Sequence, residues 1–94
     1  MAEKFEDLRV WRTVRTLTNC IYALSRKGEF EHDWSLKDQI RCASINVIPN
    51  IAEGFESRTY SQFINFLGTA KASAGEVRSQ LVIAHDQEYL SEST

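Results

Sequence analysis

One proline, four glycines, two cysteines and two histidines are all that 94 residues contain of those types. So few turn formers, with no alternating stretch long enough for a strand, exclude a many-stranded β domain. No apolar run approaches the ~20 residues needed to span a bilayer. The opening Met1-Ala2-Glu3-Lys4-Phe5-Glu6-Asp7 is acidic and lacks the apolar core of a signal peptide. A cytoplasmic protein without membrane contact is expected. Cys20 and Cys42 have no CxxC spacing and fall in helical patterns, so two reduced thiols are expected rather than a disulfide or metal pair.

Catalytic signals are equally scarce. His32 and His85 belong to no metal-ligand motif, and no serine or cysteine motif accompanies the His32-Asp33 dyad. Gly68 and Gly75 follow no strand, so they form no nucleotide fingerprint. Glu53 and Glu56 read as a solvated pair near a helix end. No catalytic residue, metal site or cofactor is expected, and the chain is not read as an enzyme.

What is present is a soluble helical protein of ordinary composition, 43% hydrophobic and 26% charged. Its length suits one domain, 1–94. The formal net charge is -2, but its distribution is uneven. From Leu8 to Lys27 the cations Arg9, Arg12, Arg15, Arg26 and Lys27 stand without any acid.

Three helices are predicted. The first covers about Leu8 to Lys27, with Val10, Val14, Leu17, Ile21 and Leu24 as an apolar seam. Asp7 suits its N-cap, and Lys27-Gly28 suits its end with a left-handed glycine. A loop from Glu29 to Trp34 is expected next, with Phe30 and Trp34 tucked onto the bundle. The second helix covers about Leu36 to Glu53, capped by Ser35 with Asp38 and stopped by Gly54. It is apolar on two sides: Leu36, Ile40, Ala43, Val47 and Ile51 form one stripe, and Ile45, Ile48 and Ala52 another. It is therefore central or shared with another chain. Pro49 predicts a kink near Ile45 to Ile48.

The third covers about Tyr60 to Asp86, with Thr59 and Gln62 as a capping box. Tyr60, Phe63, Leu67, Ala70, Ala74, Val77, Leu81 and Ala84 alternate spacings of three and four, the geometry of helices packed at a shallow angle. Its middle is small, from Gly68 to Gly75, which predicts close approach of another backbone. Ser91-Glu92 looks like the opening of a further helix. The seam is left uncovered, to be closed by a missing segment or by a neighbouring subunit. Trp11, Tyr22, Ile45 and Ile48 supply apolar surface beyond one small core, which favours self-association over a mis-registered core.

The cations of the first helix lie roughly opposite its seam, interleaved with Trp11 and Tyr22. Lys37 and Arg41, four apart, extend the patch if the two helices are neighbours. Such a face can bind phosphates and stack bases. It can equally be solvated surface whose arginine stems cover apolar groups, or a dock for an acidic protein. The residues alone leave these open.

The stretches Asp38-Gln39-Ile40-Arg41-Cys42-Ala43-Ser44, Asn50-Ile51-Ala52-Glu53-Gly54-Phe55 with Arg58, Phe63-Ile64-Asn65-Phe66-Leu67 and Ala74-Gly75-Glu76-Val77-Arg78-Ser79-Gln80-Leu81 resemble the 23S-rRNA intervening-sequence proteins, also called four-helix-bundle or S-twenty-three-type ribosomal proteins. The opening Phe5-Glu6-Asp7-Leu8-Arg9-Val10-Trp11 fits as well. The resemblance spans nearly the whole chain and extends to accessory variability proteins of diversity-generating retroelements.

The resemblance implies an up-down antiparallel four-helix bundle assembling into a ring, a homopentamer, in a bacterial cytoplasm. It implies association with RNA or DNA, or with a nucleic-acid-processing protein. The alternative is a protein-interaction scaffold with no nucleic-acid role. Among the matching positions, Ile51, Ala52 and Leu81 would pack, and Gly54 would end a helix. Asn50, Glu53, Arg58, Glu76 and Gln80 would make polar contacts between helices or subunits. Two departures stand out: the proline sits one place later than in the family pattern, and the fourth helix is absent beyond Ser91.

Overall fold

A computed structural model describes residues 4–90. A short 3-10 turn, Phe5–Asp7, leads into α1 (Arg9–Leu24). Then come α2 (Gly28–His32), α3 (Trp34–Glu56) and α4 (Tyr60–Asp86). Among the described residues there is no strand, and the molecule measures 44 × 21 × 20 Å. The long dimension is that of α4, whose 27 residues rise about 40 Å. The expected helix opening at Ser91–Glu92 and the first three residues of the acidic start lie outside the described residues. No helix among the described residues is long and apolar enough to cross a membrane.

The caps explain the element bounds. Asp7 does not cap α1. It belongs to the 3-10 turn, and its carbonyl accepts from Arg12 Nη2 at 2.8 Å. The residue at the cap position is Leu8, which has no capping side chain. Gly28 does take the left-handed conformation, φ +56°. The segment expected to be a loop then forms α2, which buries Phe30. Ser35 is not the cap of α3 either. Asp33 holds that place, accepting from the Leu36 N–H at 3.1 Å. A carboxylate also suits the positive pole of the helix, so α3 starts at Trp34. The Thr59 cap of α4 is as predicted: its Oγ1 accepts from the Gln62 N–H at 3.1 Å. The Gln62 side chain reaches back to the Arg58 N–H at 3.2 Å.

Gly54 does not stop α3, which continues to Glu56. A Cβ there would lie 3.4 Å from Phe66 Cβ. The glycine brings α3 close to α4, and Ser57 ends the helix, its hydroxyl donating to the Gly54 carbonyl at 2.6 Å. α3 also passes through Pro49 without a break, although Pro49 has no N–H to offer the Ile45 carbonyl. After α4, Glu88 takes a left-handed φ of 63° and the Tyr89 N–H reaches the Ala84 carbonyl at 2.9 Å. This turn folds the chain back over the helix end.

α3 is the central element. Ile40 and Ala43 pack with Ile21, Phe30, Val77 and Ala84 in one buried cluster. Val47 and Ile51 pack with Ala70 in another, covered by Leu8, Trp11 and Val14. The α4 seam therefore divides in two. Ala70, Val77 and Ala84, seven apart, are buried. The alternate row of Leu67, Ala74 and Leu81 is exposed or half-buried. α1 divides similarly, with Thr18 and Ile21 buried while Val10 and Leu17 remain about half exposed. A helix in a bundle touches two neighbours along such rows, and here each outer helix turns one of them toward α3 and leaves the other largely uncovered.

Candidate nucleic-acid interface

The sequence directs attention to the cations of α1. Arg9, Arg12 and Arg15 are all exposed. At spacing three, each is turned about 60° from the last around the helix, so the three guanidinia fan across one side of its first turns. Arg9 and Arg12 border a shallow polar depression with Thr13 and Thr16. Thr16 Oγ1 donates back to the Arg12 carbonyl at 3.1 Å. Arg15 lies over the Trp11 ring, 5.9 Å from its centroid, and Trp11 meets Phe5 at 5.5 Å. A guanidinium over an indole is held by the ring's negative face while its N–H groups still point outward. Such a group can meet a phosphate or a carboxylate.

Arg26 and Lys27 are exposed as well, but they occupy the turn after α1. That turn is roughly 25 Å along the helix from Arg9. The cationic surface is thus a cluster of three arginines at one end and a pair at the other.

Lys37 and Arg41 do not extend it. Lys37 is only 7% exposed, and its Nζ sits 3.7 Å from the centroid of the Trp34 ring. Arg41 is half-buried between α1 and α3. Its Nε donates to Ser25 Oγ at 2.8 Å and its Nη2 to the Tyr22 carbonyl at 3.4 Å, while its guanidinium stacks on Tyr22 at 4.6 Å. Both cations are engaged inside the fold, and spacing alone does not distinguish an inward cation from an outward one.

The expected interface residues separate in the same way. Trp11 packs on the lower cluster with its indole Nε1 buried and without a hydrogen-bond partner. Tyr22 serves Arg41. Ile45 is exposed and Ile48 half-buried. Asn50 Nδ2 donates to the Asn46 carbonyl at 2.7 Å, within its own helix. Glu53, Arg58 and Glu76 are exposed, and Gln80 Oε1 is buried without a partner. Among the described residues no cluster of three or more His, Cys, Asp or Glu side chains is placed to hold a metal. Both cysteines are free and exposed.

Sequence reasoning missed the junction around Tyr89. Its hydroxyl donates to Asp33 Oδ2 at 2.9 Å and its ring stacks on Phe30 at 5.1 Å. Hydrogen bonding to Asp33, then desolvation and the charges of Asp33 and Glu29, raise its pKa above the ordinary phenol value. The partners are 56 residues apart, beyond any local pattern.

Residues 6–94 match the family described as 23S rRNA-intervening sequence protein. No curated protein and no solved structure matches the chain.

Proposed function

The chain belongs to the 23S rRNA-intervening sequence protein family, and we propose that it is a non-enzymatic helical-bundle protein that self-associates and binds RNA or DNA. The observation that carries this reading is the exposed fan of Arg9, Arg12 and Arg15 on a helix with no acid between Leu8 and Lys27. Each arginine alone is a weak phosphate contact. In a ring of up-down helical bundles, five copies in our reading, symmetry repeats the fan and the contacts act together. Release of counterions from the nucleic acid would then dominate the affinity. Its place would be the bacterial cytoplasm.

The test is a salt titration of RNA and DNA binding by fluorescence anisotropy. Binding should weaken steeply with salt and should be lost in the triple variant Arg9→Glu, Arg12→Glu, Arg15→Glu. Affinity unchanged by the three reversals would refute the placement. No binding at low salt would refute the nucleic-acid role and favour a protein-interaction scaffold. Light-scattering mass at several concentrations tests assembly; a strict monomer of 10.8 kDa would refute the ring.

A further inference from the structure

The outward side of α1 carries more than the arginine fan. Arg12, Arg15, Thr16, Asn19 and Ala23 recur at spacings that keep them on one face of the helix, and all five are exposed. Arg26 follows directly on the C-cap Ser25 and is exposed, as is Lys27 beside it. The face thus has cations at both ends and small uncharged residues between them. From Arg15 to Arg26 is about 16 Å along the axis. The major groove of a B-form duplex is about 12 Å wide and admits an α-helix.

This side offers no free aromatic ring. Trp11 is half-buried, packed on the lower cluster with Arg15 over its ring. Tyr22 is half-buried and carries Arg41. Proteins that hold single strands stack bases on exposed rings along a cationic groove. α1 has the cations without the rings. Its small middle lets the helix come close to a ligand, and its two charged ends reach two separate backbones. A duplex presents two backbones, a single strand only one.

We propose that α1 lies across a groove of double-stranded nucleic acid, with Arg12 and Arg15 on the phosphates of one strand and Arg26 and Lys27 on those of the other. The inference rests on the nucleic-acid role proposed above and narrows it to a double helix. Two of the anchors are held in place beforehand. Arg12 is fixed by its bond to the Asp7 carbonyl at 2.8 Å, and Arg15 by the Trp11 ring. Thr16 donates to the Arg12 carbonyl, so little on this face is left to read base edges. Recognition then rests on the phosphates and is indifferent to sequence.

The experiment uses the whole chain with a blunt duplex of 18 base pairs, as DNA and as RNA, and with one strand of each that cannot pair with itself. Fluorescence anisotropy at low salt should show duplex bound about tenfold or more tighter than single strand. The tighter of the two duplexes tells a B-form groove from an A-form one. Arg26→Gln with Lys27→Gln should weaken duplex binding and reduce the slope of log affinity against log salt by about two for each chain engaged. Ala23→Leu, exposed and compatible with a helix, should weaken duplex binding several-fold by holding α1 off the groove. Circular dichroism should be unchanged in both variants. Single strands bound as tightly as duplexes would overturn this inference and leave the arginine fan standing. So would duplex binding indifferent to either variant. No binding of any of the four probes would overturn the nucleic-acid role and this inference with it.

Discussion

One carboxylate, Asp33, accepts from two directions: Oδ1 takes the Leu36 backbone N–H at 3.1 Å and Oδ2 takes the Tyr89 hydroxyl at 2.9 Å. It therefore starts α3 and fastens the segment beyond α4 at the same point. Tyr89→Phe removes one of these bonds and should lower stability by less than the loss of Asp33 does. Asp33→Ala removes both, including the cap, and should cost about 2 kcal/mol. Urea denaturation of the single and double variants checks this. Strictly additive losses would mean that the two side chains are not coupled.

The same bond sets an alkaline limit. Hydrogen bonding to Asp33, desolvation and nearby negative charge raise the Tyr89 pKa. The folded chain therefore holds this proton more tightly than the unfolded one. The contribution is complete below the unfolded value of about 10 and is lost as pH rises through the folded value. Denaturation midpoints of the parent chain should fall above pH ~10 more steeply than those of Tyr89→Phe. Parallel curves would separate the shift from stability.

Arg41 is expected to act through the fold. Arg41→Met keeps the stem and removes the bonds to Ser25 and Tyr22. It should lower stability by about 1–2 kcal/mol and leave nucleic-acid affinity unchanged. A loss of affinity at unchanged stability would return Arg41 to the cationic surface.

Gly68 and Gly75 have open space where a Cβ would stand. Gly68→Ala and Gly75→Ala should each raise helix stability by up to about 1 kcal/mol, read from the thermal midpoint. Light scattering on the same variants tests what the sequence suggests of this stretch. A fall in assembly mass would mean that a neighbouring backbone approaches these two positions.

The sequence was most readable where several signals agreed. For α4 the Thr59 cap and the bounds Tyr60 and Asp86 coincide with the structure, while of the alternating seam only Ala70, Val77 and Ala84 are buried, and Tyr60 and Phe63 stay exposed. For α3, two residues could serve as cap, and local pattern favoured Ser35. The anionic Asp33 prevails because it also answers Tyr89, which no window of adjacent residues contains. Gly54 misled for a related reason: a glycine that lets two helices approach looks the same in sequence as one that ends a helix. α2 spans five residues, too short for a 3.6-residue period to show. Of the cations, Arg9, Arg12 and Arg15 lie on the surface, with Trp11 beneath Arg15. Lys37 and Arg41 do not: Lys37 is buried beneath the Trp34 ring, which is itself exposed rather than tucked onto the bundle, and Tyr22 with Ser25 holds Arg41.

The connection between α3 and α4 is only residues 57–59 long, and Gly54 lets the two helices meet closely just before it. Little loop entropy opposes that meeting. The pair should therefore dock early as a hairpin in folding, and α1 should join an already formed surface. Substitutions where α3 meets α4 would then slow folding, whereas those that loosen α1 would mainly hasten unfolding. The helix that carries the arginines would be the last to arrive and the first to leave.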